Sequence, residues 1–270
     1  MRIADELRIV IRNPQSAIRN KERPMHITLR IWRQKDRNSP GRLVTYELSD
    51  VTPDMSFLET LDLLNLPLAR KGEDTVAFDS DCREGICGSC CLQINGRPHG
   101  PLRGVATCQL QMRSFKENDT IVVEPFRAKA FPIVKDLVID RTALDRIIQA
   151  GGFISVKTGG APEANTLPIS KHRVESAFES ASCIQCGACV AACKNASAML
   201  FVGSKVAHLA ILPQGEMERK ARVLSMVVQM DAEGFGACSN TYACEVECPK
   251  AISADNIAFL NRELLRAKIF

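Results

Sequence analysis

The twelve cysteines of this chain are gathered into three runs, and the spacing within each run decides what the surrounding loops can wrap. Cys82, Cys87 and Cys90 read C-x₄-C-x₂-C, with Cys108 as a distant fourth. Cys183, Cys186, Cys189 and Cys193 form an intact C-x₂-C-x₂-C-x₃-C. In the third run, CSNTYACEVECPK over 238–250, Cys238, Cys244, Cys248 and Pro249 fall where a second such motif would put them. Thr241 stands at its second cysteine position. The N-terminus has no apolar core followed by a small-residue cleavage site, so it does not read as a secretory signal, and Asp5 and Glu6 argue against a transit peptide. Many cysteines without a secretion signal argue for metal rather than a disulfide framework.

The first run has the plant-type [2Fe–2S] spacing, which predicts Cys82, Cys87, Cys90 and Cys108 as ligands. Its short loop must turn backbone N–H groups toward sulfur, and Gly85 and Gly88 permit the dihedrals this needs. Cys91 directly follows Cys90. In an extended segment adjacent side chains point opposite ways, so Cys91 is expected to be a buried free thiol. In two-cluster ferredoxins the fourth cysteine of each run serves the other cluster. That rule assigns Cys183, Cys186, Cys189 and Cys248 to a [4Fe–4S] cluster. It leaves Cys193, Cys238 and Cys244, with Thr241 at the vacant position, to a [3Fe–4S] cluster. Zinc is disfavoured, because structural zinc sites use two ligand pairs separated by a longer spacer. His26, His99, His172 and His208 lie outside the runs and read as ordinary surface or core residues. The KENDT and MERKAR charge runs read as solvated faces. No residue is assigned a catalytic role.

The chain divides near residue 130. Upstream, HITLRIWRQ and GRLVTYELS alternate apolar and polar residues. SFLETLDLLN has Phe57, Leu58, Leu61 and Leu64 at helical spacing, with Asp54 or Ser56 as cap. CLQINGRPH carries an Asn95-Gly96 turn, and DTIVVEP is a closing strand. Downstream, DRTALDRIIQAGG, GEMERKARVLSMVVQMD and SADNIAFLNRELLRAKI read as amphipathic helices, the first capped by Asp140. The expected fold is α+β: a β-grasp plant-type ferredoxin domain over 25–130, then an α-helical bacterial-type two-cluster ferredoxin domain over 131–270. Residues 1–24 are basic and read as an N-terminal arm, unless Met25 is the true start. Residues 156–170 read as a surface loop. No dinucleotide fingerprint or Walker A loop occurs, and no stretch approaches the ~20 apolar residues of a membrane span. The net charge of +4 is mild and would be largely offset by metal-bound thiolates, so no nucleic-acid footprint is read from it.

Three clusters with no substrate or nucleotide motif describe a wire, which needs a donor and an acceptor. DCREGICGSC, CIQCGACVAAC and C-x₅-C-x₃-CPK, in this order, resemble the iron–sulfur subunit of succinate dehydrogenase and fumarate reductase, over about residues 25–268. The resemblance implies a heteromeric complex. In it a flavoprotein subunit with FAD oxidises succinate to fumarate, and this subunit relays the electrons singly. A cytochrome b membrane anchor, often carrying haem b, receives them with quinone, either menaquinone or ubiquinone. It also implies a peripheral position on the cytoplasmic face of a bacterial inner membrane. The chain departs from the family pattern in several places. Seventeen residues separate Cys90 from Cys108, more than in many members, and GRPHGPLRGVA resembles one bacterial branch. Lys194 replaces the usual Pro after Cys193, and Ala198 and Ser239 replace the Trp and His of the best-known quinone site. Quinone-binding residues are therefore not carried over. The alternatives are an electron-transfer subunit of another flavin-linked dehydrogenase, such as a thiol-linked fumarate reductase, and a free multi-cluster ferredoxin.

Overall fold

Alternation along Met25–Arg33 (β1) puts Met25, Ile27, Leu29 and Ile31 on one buried face, as the two-residue strand period requires. The chain is described here by a computed structural model covering residues 24–155 and 169–269. The arm expected before Met25 and most of the 156–170 loop lie outside the described residues. β1 pairs antiparallel with Arg42–Val51 (β2), Leu29 opposite Tyr46, and parallel with Thr120–Pro125 (β5), Leu29 opposite Ile121. Between them run helix α1 (Phe57–Arg70) and a short hairpin, Leu92–Ile94 (β3) and Arg97–Pro98 (β4). The hairpin turns at Asn95 and Gly96, whose φ values of 49° and 78° are what a tight primed turn demands. The sheet order is β2-β1-β5-β3-β4.

Ser56 rather than Asp54 caps α1. Its hydroxyl accepts from Glu59 N at 3.2 Å, and the Glu59 carboxylate accepts from Ser56 N at 2.6 Å, a reciprocal capping box. Asp54 instead pairs with Arg113. Phe57, Leu58, Leu61 and Leu64 pack onto the sheet to form the first apolar core.

Beyond Phe126 the pattern turns helical. A small hairpin, Ile133–Lys135 (β6) and Val138–Ile139 (β7), is tied back to the sheet by Asp136. Its buried carboxylate accepts from Arg33 Nε, Gln34 N and Ala77 N. Helices follow at Thr142–Gly151 (α2), Lys171–Ala181 (α3), Ala188–Ala192 (α4), Met199–Ile211 (α5), Arg219–Ala232 (α6), Ala243–Val246 (α7) and Asp255–Ile269 (α8). α5 is buried on nearly every side and packs against α3, α6 and α8. The second apolar core runs from Phe126 to Ala267 and takes in Cys91. Among the described residues no helix is long and apolar enough to cross a membrane.

One expectation is corrected. MERKAR is not a solvated face, because α6 turns Arg219 and Arg222 inward. Arg222 is 1% exposed and donates to the carbonyls of Gly151, Gly215 and Phe153 at 3.0, 2.8 and 2.9 Å. Arg219 forms a forked pair with the buried Glu263 of α8. KENDT is largely exposed, as expected.

Candidate functional site

Residues 82–91 form an irregular loop between α1 and β3. Arg83, Gly85 and Gly88 have φ of 55°, 70° and 71°, which turns the backbone amides inward. Glu84 N donates to Cys82 Sγ at 3.3 Å. The amides of Glu84 and Ile86 bring the Cys82 thiol down to about 7, so it loses its proton more readily than an ordinary thiol. Cys87 Sγ lies 3.0 Å from Ser89 Oγ. Cys108 sits in a single tight turn, Thr107–Gln109, beside Cys90. Burial, then the neighbouring Cys108, pushes the Cys90 thiol up to about 12. The loop tip rests on the same turn: a Cβ on Gly85 would fall 2.3 Å from Gln109 Oε1.

A residue read only as ordinary from the sequence supports that turn. His99 is buried, its Nδ1 accepts from Thr107 N at 3.3 Å, and it lies 2.9 Å from Thr107 Oγ1. Burial drives its imidazole down to about 4, so the ring is neutral at ordinary pH. Its place just past the Asn95-Gly96 turn, within the long spacer to Cys108, was the signal available.

The other two runs interleave. Cys183, Cys186, Cys189 and Cys248 line one cavity, walled by Leu200, Phe201 and Ile252. Cys193, Cys238 and Cys244 line another, with Asn240, Thr241 and Tyr242 beside them. Each cavity therefore draws one cysteine from the other run. Short helices present the sulfurs: α4 carries Cys189 and α7 carries Cys244. Amides again face sulfur, Asn240 N to Cys238 Sγ and Ile252 N to Cys248 Sγ, each at 3.4 Å. Burial pushes the Cys186 and Cys189 thiols well above the ordinary thiol range. An apolar pocket of thiols with amide donors suits soft iron–sulfur groups, whose iron would replace the thiol protons. Among the described residues, no three His, Cys, Asp or Glu side chains converge as a single ion would require; the seven cysteines of the second and third runs line cavities instead.

Between the first and second groups lies a seam invisible in the sequence. Cys91 is buried, and its Sγ donates to Gly88 O at 3.1 Å and Cys186 O at 3.0 Å. Burial pushes its thiol up to about 12, which keeps it protonated. Arg141 Nη1 donates to Gln185 O at 2.8 Å. Arg97 forks onto both carboxylate oxygens of Glu247 at 3.1 and 3.2 Å.

Comparison with known proteins gives a consistent result. Residues 28–146 match the family model of a 2Fe-2S iron-sulfur cluster binding domain, and residues 179–252 that of a 4Fe-4S dicluster domain. The chain is 30% identical over 222 residues to the succinate dehydrogenase iron-sulfur subunit of Bacillus subtilis, covering 78% of this chain and 82% of that one. It is 25% identical over 253 residues to the fumarate reductase iron-sulfur subunit of Wolinella succinogenes, covering 88% and 97%. In fold it resembles a chain of the Mycobacterium smegmatis Sdh1 complex in the apo form. The TM-score is 0.59 at 22% identity, over 92% of this chain and 98% of that chain.

Proposed function

The chain belongs to the family of succinate dehydrogenase and fumarate reductase iron–sulfur subunits, and from that premise we propose that every cysteine but Cys91 holds iron in an electron-transfer wire. Cys82, Cys87, Cys90 and Cys108 hold the [2Fe–2S] cluster. Cys183, Cys186, Cys189 and Cys248 hold the [4Fe–4S] cluster, and Cys193, Cys238 and Cys244 the [3Fe–4S] cluster. The observation that carries this reading is the exchange of cysteines between the two C-terminal cavities, with Thr241 at the one that has three.

When bound, the clusters supply single-electron storage at potentials set by charge, hydrogen bonding and exposure. The chain's own residues fix the sulfurs, aim amides at them and line the middle cavity with apolar side chains. The division into two apolar cores, with Leu137 joining the first and Cys91 and Phe126 the second, is in line with a boundary near residue 130, and we read a β-grasp domain over 25–130 and a helical two-cluster domain over 131–270. In the assembly we propose, dicarboxylate chemistry belongs to an FAD flavoprotein subunit. A cytochrome b anchor, with or without haem b, delivers electrons to menaquinone or ubiquinone and holds this subunit on the cytoplasmic face of the inner membrane.

The test is EPR during redox titration of the purified complex, with iron and sulfide analysis and with succinate and fumarate turnover. Three signals are expected, one of them an oxidised-state three-iron signal. Two four-iron cubes and no three-iron signal would overturn the assignment.

A further inference from the structure

In the ligand reading above, Cys91 is the one cysteine with no iron to hold, yet only 4% of it is exposed. Cys90 packs into the sheet core and Cys91 into the helical core, so this pair of neighbours straddles the seam between them. A buried free thiol commonly serves as a small apolar filler and needs no partner. This one has two, the carbonyls of Gly88 and Cys186, which share its single S–H proton. Both carbonyls belong to cluster loops. Gly88 lies between Cys87 and Cys90, and Cys186 is itself assigned to the second cluster.

A feature independent of the thiol presses the same loops together, and others brace their surroundings. A Cβ on Gly88 would fall 2.1 Å from Ile184 O, so only glycine allows this approach. Arg141, outside both loops, donates to Gln185 O, and Arg97 grips Glu247, next to Cys248. The two loops thus meet along Ile184 to Cys186, where the close approach of Gly88 and the Cys91 hydrogen bond fall side by side.

We propose that Cys91 is the positioning residue for the crossing between the first and second clusters, an inference that rests on the ligand assignment above. Its S–H joins the two loops and completes a continuous bonded route. The route runs from Cys90 Sγ along its backbone and the peptide to Cys91 Sγ, across the hydrogen bond to Cys186 O, and through Cys186 Cα to its Sγ. Electron tunnelling decays faster across a gap than along bonds and hydrogen bonds, so removing the donor lengthens the effective path. One electron leaves the reduced [2Fe–2S] cluster and enters the oxidised [4Fe–4S] cluster. No bond at Cys91 forms or breaks, and its proton stays in place.

The test uses the assembled complex carrying Cys91→Ala, Cys91→Val or Cys91→Ser. Alanine and valine both remove the donor, alanine with a loss of volume and valine with a gain, so an effect common to both is not one of packing; serine keeps a donor. Two quantities are read: freeze-quench EPR of electron arrival beyond the [2Fe–2S] cluster after mixing with succinate, and relaxation enhancement of the reduced [2Fe–2S] signal by the reduced [4Fe–4S] cluster. With full iron content, the alanine and valine variants should show several-fold slower arrival and weaker enhancement, and serine should restore both. Wild-type values in an iron-replete alanine or valine variant overturn the proposal, as does a serine variant no better than alanine. Loss of the [2Fe–2S] signal in the serine variant would instead show that Cys91 is a ligand, so failure of the underlying assignment is seen separately.

Discussion

Thr241 and Arg222 show opposite fates of a single residue read from sequence. Thr241 is legible because it interrupts a motif of fixed spacing, and it lies at the cavity of Cys193, Cys238 and Cys244. Thr241→Cys adds a fourth thiolate there. A further negative ligand makes adding an electron harder and lowers the potential of the group it binds. The variant is expected to bind a fourth iron, lose the oxidised three-iron EPR signal, and slow quinone reduction more than dye reduction at the flavin. Unchanged iron content and an unchanged signal would count against the vacancy. Arg222 was illegible. Its burial is imposed by Gly151 and Phe153, whose carbonyls arrive from about 70 residues upstream, and nothing in a local charge run announces that. Cys91 lies between these cases: its burial followed from alternation next to Cys90, but its two carbonyl partners did not.

Elements with a clear period were readable, and those without one were not. β1, β2, α1 and α8 follow two-residue or helical periodicity, and the Asn95-Gly96 turn appears where expected. α5 escaped because Leu200, Phe201, Val202, Val206 and Ala207 cover most of its circumference, leaving no stripe to detect. α4 and α7 span five and four residues, too short for any period to show. Ser56→Ala removes half of the α1 capping box and should cost about 1 kcal/mol, read as a lower denaturation midpoint with cluster spectra unchanged. The α6–α8 contact gives a pH prediction. Burial pushes the Glu263 carboxyl up, but hydrogen bonds and charge from Arg219, aided by Arg266 and Arg262, outweigh it and hold the group below the usual range. That contribution is present above the unfolded carboxylate value of about 4.3 and fades as pH falls through the lower folded value. Glu263→Gln should therefore lower the thermal midpoint of the helical signal near neutral pH. The difference from wild type should shrink on acidification below about pH 4.3; a constant difference would sink the idea.

At the scale of the whole molecule, the first core is built chiefly by the sheet and α1, with Cys90, Cys108 and loop residues such as Leu110 and Met112 packed into it, whereas the cysteine loops have little regular structure of their own. Removing iron with a chelator under reducing conditions should raise deuterium uptake over 82–91, 183–193 and 238–252 and leave β1, β2 and β5 protected. Uniform loosening of the sheet would show that the clusters also hold the first core. If the proposed assembly holds, this subunit alone should show no succinate-dependent dye reduction, and activity should appear when a flavoprotein subunit is added. Robust activity from the flavin-free subunit would contradict the relay reading.

The close approach of Gly88 to Ile184 O bears on the history of the chain. Two ferredoxin modules joined end to end could in principle drift separately, each tolerating changes the other never meets. Here a methyl group gained on one loop collides with the backbone of the other, so neither surface can vary freely. A chimaera taking residues 25–130 from one relative and the remainder from another would have to inherit both sides of this contact together. The two halves match separate family models, yet at this contact neither can change without the other.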